Sequence, residues 1–133
     1  MNSLFFKMAI LKHLLALVWL IRAGFLVILC VISYLAFTPS PVVIIETFGD
    51  KACHFAAFFV LSLFLDFSYP KQAIYYKIMF MVFYGGLIEL IQQGLGYRAF
   101  EWLDLVADAF GVFFYACLAP FLLRYRRILL HRR

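Results

Sequence analysis

The chain has 133 residues, of which 67% are hydrophobic, 20% aromatic and only 14% charged, with a mean hydropathy of +0.99. A soluble domain of this size has too little interior to hide so much apolar surface, so lipid must solvate much of it. The formal net charge of +5 would suit nucleic acid, but its distribution along the chain argues against that class and for a membrane surface.

The N-terminus carries Lys7 and Lys12 ahead of an apolar run. No small-x-small cleavage site follows, so the segment reads as part of the mature chain and not as a removed signal. Residues 4–15 mix Lys7, Lys12 and His13 with apolar positions. They suit a surface helix lying in the interface, or an extension of the first span with Arg22 snorkelling toward headgroups. The depth that Arg22 would otherwise occupy favours the surface helix.

Four apolar stretches approach the roughly 20 helical residues needed to cross a hydrocarbon core. They are residues 14–37, 52–69, 73–93 and 102–123. Breakers separate them: "TPSP" at 38–41, "SYPK" at 68–71 and "GLGYR" at 94–98. Proline removes a backbone donor and restricts its predecessor, and glycine permits a tight turn. The expected fold is therefore all-α, a single polytopic domain over residues 1–133. Residues 1–19 form its N-terminal segment, about 20–123 its four-helix bundle, and 124–133 a basic tail. Cys30, Cys53 and Cys117 are odd in number and lie in or beside apolar segments, which speaks against a disulfide framework.

Charge orients this bundle. With four crossings, Lys7, Lys12, Arg22, Lys71, Lys77, Arg124, Arg126, Arg127, Arg132 and Arg133 share one side, ten of the 12 basic residues. The positive-inside rule makes that side, and both termini, cytoplasmic. The tail "RYRRILLHRR" then faces anionic inner-leaflet lipid. Tyr69, Tyr75, Tyr76 and Tyr125 on this side, with Tyr97 and Trp102 on the other, suit interfacial belts.

The acids do the reverse. Glu46, Asp50, Glu89, Glu101, Asp104 and Asp108 fall toward the outer side, and only Asp66 toward the inner. Asp50, Lys51 and His54 are neighbours at helical spacing on the second helix. Gly85, Glu89, Gln92 and Gly96 share a face of the third helix, and Asp104, Asp108, Gly111 and Tyr115 a face of the fourth. Buried carboxylates cost at least a few kcal/mol at membrane depth unless they meet a partner or a wet cavity, so they should point into the bundle. Glu46 and Glu101 read as solvated loop residues. One competing reading is interhelical glue, with Lys51 on Asp108 or Asp104, Arg98 on Glu101, and His54 merely hydrogen-bonded. The other is a site.

Three ordered blocks, "DKACHFAAFFVLSL", "YGGLIELIQQ" and "YRAFEWLDLVADAFG", resemble the VanZ-like family in order and spacing. The likeness covers roughly residues 30–120, and the turn "TPSP" before the first block resembles the family too. Its polar positions fall on Asp50, Lys51, His54, Glu89, Gln92, Arg98, Asp104 and Asp108. Asp108 stands where many members carry Asn, which adds a charge. The resemblance implies a small multi-pass protein of a bacterial inner membrane. The family's name comes from a member linked to resistance against the glycopeptide teicoplanin.

Three functions follow as expectations. In the first, an outer-leaflet pocket binds or helps modify an anionic lipid or lipid-linked cell-envelope intermediate, with Lys51, His54, Gln92, Arg98 and Asp104 as ligand-binding residues. In the second, the pocket is catalytic: His54 tuned by Asp50 acts as base, with Glu89 or Asp108 as acid. A divalent cation such as Mg²⁺ on Glu89, Asp104 and Asp108 is the metal-assisted version. The third is ion or proton transport, which would require a homo-oligomer to complete a pore. Nucleic acid is not an expected partner.

Overall fold

The computed structural model describes the backbone of residues 2–38, 49–96 and 101–131, and every described element is an α-helix. The helices are α1 (Asn2–Ala36), α2 (Asp50–Ser68), α3 (Ile74–Leu95) and α4 (Trp102–His131). Each contains a segment long and apolar enough to span a membrane: Leu15–Ala36, Asp50–Ser68, Ile74–Leu95 and Trp102–Leu122. Helices suit that setting because they satisfy their backbone hydrogen bonds internally.

Residues 4–15 belong to the same continuous helix as the first span. The extension is therefore what the structure holds, in place of the separate surface helix that Arg22 suggested. At 1.5 Å per residue, the 35 residues of α1 reach about 52 Å, well beyond a core of about 30 Å. Arg22 is accommodated at the end of the bundle away from most of the acids: its Nε donates to the Ser68 carbonyl at 3.0 Å. Its guanidinium also lies 5.1 Å from the Trp19 ring centre and 4.8 Å from that of Tyr69, a cation–π placement. Residues 124–131 continue α4 as helix.

Turn chemistry explains the ends. α2 stops at Ser68, before Tyr69 and Pro70, where the residue preceding a proline is pushed out of helical geometry. α3 ends on Gly96 at φ +77°, a left-handed cap that glycine adopts without penalty.

α2 and α3 form the short diagonal of the bundle, with α1 and α4 on opposite sides and no packing of α1 on α4 among the described residues. The core is a band of Phe25, Phe58, Leu61, Leu65, Met81, Ile88 and Val112. α4 packs closely on α2 at Gly111, where an added Cβ would lie 2.4 Å from the Phe55 carbonyl oxygen and 3.0 Å from the Phe59 nitrogen. Large side chains such as Trp19, Leu20, Phe110 and Phe121 point outward, as helices in lipid require. Above and below the apolar band, the bundle ends in two polar clusters.

Candidate functional site

The first cluster lies where the N-termini of α2 and α4 meet the C-termini of α1 and α3. The Gly111 contact sets the α2–α4 distance, so residues near the start of both helices face each other. Lys51 Nζ donates to Glu101 Oε2 at 2.7 Å and to Asp104 Oδ1 at 2.9 Å. One turn further in, His54 Nδ1 and Asp108 Oδ1 are 2.8 Å apart. His54 Nε2 faces two more carboxylates, Asp50 Oδ1 and Asp104 Oδ2, each at 3.8 Å. That distance exceeds a hydrogen bond.

α3 closes the cluster. Glu89 Oε2 accepts the backbone N–H of Glu101 at 3.2 Å. Gln92 Nε2 donates to the Ala36 carbonyl at 2.9 Å, tying α3 to the end of α1. Gly85 makes room for Asp108, since a Cβ there would lie 3.0 Å from Asp108 Oδ2. Glu89, Gln92, Asp104 and Asp108 are each 2% exposed or less. Two of their oxygens, Glu89 Oε1 and Asp108 Oδ2, are buried with no hydrogen-bond partner among the described residues. Buried polar atoms are normally paired, so each such exception calls for a cause.

The structure brings together most of the residues expected from sequence, with changes of role. Lys51 takes Asp104, as the glue reading expected, and its second partner is Glu101, a half-exposed loop residue that also joins the ion pair. Asp108 belongs to His54, not to Lys51. Gln92 spends its amide on the α1 backbone, so it holds the bundle more than it offers a ligand contact. The set Glu89, Asp104 and Asp108 is not the group that converges as metal ligands. Among the described residues, that group is Asp50, His54 and Asp104. Arg98, Glu46 and Tyr97 lie outside the described residues. Among the described residues no disulfide joins Cys30, Cys53 and Cys117.

A second cluster was not anticipated. Asp66 and Lys77, from α2 and α3, form a direct ion pair, and the Tyr115 hydroxyl of α4 donates to the other Asp66 oxygen at 2.8 Å. All three are buried, at 7%, 6% and 1% exposure. The sequence signal was available: an acid and a base 11 residues apart across the "SYPK" turn, with Tyr115 continuing the Asp104–Asp108 stripe. Lys77 thus lies on the basic side that charge distribution assigns it, buried against Asp66.

No protein-family model matches this chain, and no solved structure matches it. An uncharacterized protein of the fission yeast Schizosaccharomyces pombe is 36% identical to it over 96 residues. The match takes in 68% of this chain, which spans 57% of that relative's length, a little over half.

Proposed function

We propose that this chain is a VanZ-like membrane protein with both termini in the cytoplasm. Its acid-rich end opens to the outer leaflet and binds, or helps modify, an anionic lipid or lipid-linked cell-envelope intermediate. The family resemblance of the three sequence blocks supports the assignment and a bacterial inner membrane. The positive-inside distribution, with Arg22, Lys71 and the arginines of residues 124–133 on one side, supports the orientation.

The observation that carries the reading is a mismatch of charge. Asp50, Glu89, Glu101, Asp104 and Asp108 surround Lys51 and His54, and buried oxygens of Glu89 and Asp108 have no donor among the described residues. Ionisable groups at membrane depth are costly and are retained chiefly where they serve a site or pathway. Lys51 is the contact for a headgroup, because its side chain is 46% exposed at the mouth of the cluster. It is already shared by two carboxylates, so an arriving anion must displace one of them or bring a cation with it.

Mass spectrometry of lipids co-purifying with the wild type and with Lys51→Ala and Arg98→Ala tests this. The expected result is enrichment of one phosphorylated headgroup class that both substitutions abolish. A lipid profile identical in all three proteins contradicts it. The resistance phenotype of the family's namesake is a separate proposal, read out by the teicoplanin susceptibility of cells with and without the chain.

A second reading is supported by the His54–Asp108 pair at 2.8 Å. A carboxylate that fixes the imidazole through Nδ1 leaves Nε2 as a general base, with the neighbouring carboxyls as acids. Retained cellular activity in His54→Gln would exclude it. Transport ranks third, because Phe58, Leu61, Met81 and Val112, each 1% exposed or less, separate the two polar ends.

A further inference from the structure

We infer that Asp50, His54 and Asp104 form a binding site for one divalent transition-metal cation, with Asp108 as the carboxylate that orients its imidazole. The argument starts at His54. An ionised carboxylate only accepts hydrogen bonds, so Asp108 Oδ1 at 2.8 Å holds the proton on Nδ1. In the neutral ring, Nε2 then presents its lone pair. It faces Asp50 Oδ1 and Asp104 Oδ2, both at 3.8 Å.

Three acceptors aimed at one point repel each other unless a cation, or a proton on Nε2, sits between them. The three ligand atoms all lie within 4.8 Å of one another. Nitrogen and oxygen ligands bind zinc-like ions at about 2.0–2.2 Å, which in tetrahedral geometry places them about 3.4 Å apart. A closure of a few tenths of an ångström brings the His54 distances to that value. Carboxylate, histidine and metal in series is the usual arrangement for a ligating imidazole.

A second observation comes from a different helix. Glu89 of α3 is 1% exposed, and its Oε1 has no hydrogen-bond partner among the described residues. It lies within electrostatic reach of Asp104, His54 and Asp108. Burying a carboxylate oxygen without a donor beside two further acids is costly, and a cation at the Asp50–His54–Asp104 point relieves it. Five carboxylates face one permanent cation, Lys51, among the described residues of this end, and a divalent ion halves the surplus.

The ligand chemistry narrows the ion. One imidazole and two carboxylates, without thiolate, suit Mn²⁺, Fe²⁺ or Zn²⁺. Three protein ligands leave positions open to water or to an anionic oxygen. The site stands independently of the lipid reading, although a bound metal would give an anionic headgroup its counter-charge.

The test uses the full chain in lipid-free detergent, stripped with chelator and titrated with Mn²⁺ by electron paramagnetic resonance and with Zn²⁺ by elemental analysis. One ion per chain is expected. Asp50→Asn and Asp104→Asn should each weaken binding at least tenfold, and Asp108→Asn by about 10–100-fold through loss of the oriented imidazole. Lys71→Gln, exposed at the opposite end of the bundle, should leave it unchanged. Circular dichroism and size-exclusion profiles check each fold. Should Asp104→Asn misfold through loss of its Lys51 contact, Asp50→Asn at the helix end carries the test. Failure of the wild type to take up either ion at millimolar concentration overturns the inference. So does unchanged binding in Asp50→Asn. Since no lipid is present, lipid enrichment without metal uptake would sink this site and leave the lipid reading standing, and the reverse result would do the opposite.

Discussion

At one end of the bundle Asp66, Lys77 and Tyr115 are buried together and complete one another: each carboxylate oxygen of Asp66 has a donor, and the ammonium has its counter-ion. At the other end, Lys51 and His54 are outnumbered by carboxylates, and oxygens of Glu89 and Asp108 have no donor among the described residues. Both ends place charges where lipid-facing helices would penalise them, yet only one balances them. A balanced buried triad is sufficiently explained by helix association. An unbalanced one, among the described residues, costs stability without that return, which is why the second end reads as a site and the first as a fastening.

Substitutions can break this contrast. The largest effect is expected at the balanced end. Lys77→Met leaves the Asp66 charge buried without its counter-ion, and breaking a buried pair in this way costs about 3–5 kcal/mol. Denaturant unfolding in mixed micelles should show that loss. Next is Gly111→Val, which forces a side chain against the Phe55 carbonyl at the α2–α4 contact. Overpacking typically costs about 1–3 kcal/mol, and because the same contact positions Lys51 against Asp104, ligand binding should fall with stability.

A smaller effect, of opposite sign, is expected at the unbalanced end. Glu89→Gln removes a charge while keeping the side chain's shape and should leave the melting temperature equal to or above that of the wild type. Such a trade of stability for function is common at sites. The smallest is Lys51→Met. Its pair with Glu101 is about half exposed on both sides and worth at most about 1 kcal/mol, and water can reach its 46%-exposed side of the contact with the buried Asp104, so unfolding should move less than for Lys77→Met while lipid enrichment is lost. A large destabilisation by Lys51→Met would recast that end as a second fastening.

Much of this was legible in the chain before any coordinates. Hydropathy and the proline and glycine breakers placed all four helices, because span length and turn chemistry are local. Helical spacing also selected Asp50, His54, Glu89, Asp104 and Asp108, because a one-dimensional stripe records which face a residue shares. Pairings across helices were less accessible. Whether Asp108 meets Lys51 or His54 depends on the relative rotation and offset of α2 and α4, which the close approach at Gly111 sets. For the same reason the group close enough to hold a metal, Asp50, His54 and Asp104, differs from the candidates Glu89, Asp104 and Asp108 read from spacing alone. The sequence puts Lys77 on the basic side without its partner, because basic residues near a span end ordinarily snorkel to headgroups. Here the facing Asp66 and Tyr115 draw it inward.

The central claim, that one polar end is a site and the other a fastening, is tested most directly by comparing the thermal unfolding of two equivalent substitutions, Asp108→Asn and Asp66→Asn, in the same detergent. The account predicts that Asp66→Asn melts well below the wild type, whereas Asp108→Asn melts at or above it and loses affinity for Mn²⁺. Equal destabilisation by both, with Mn²⁺ affinity in Asp108→Asn unchanged from the wild type, would contradict it.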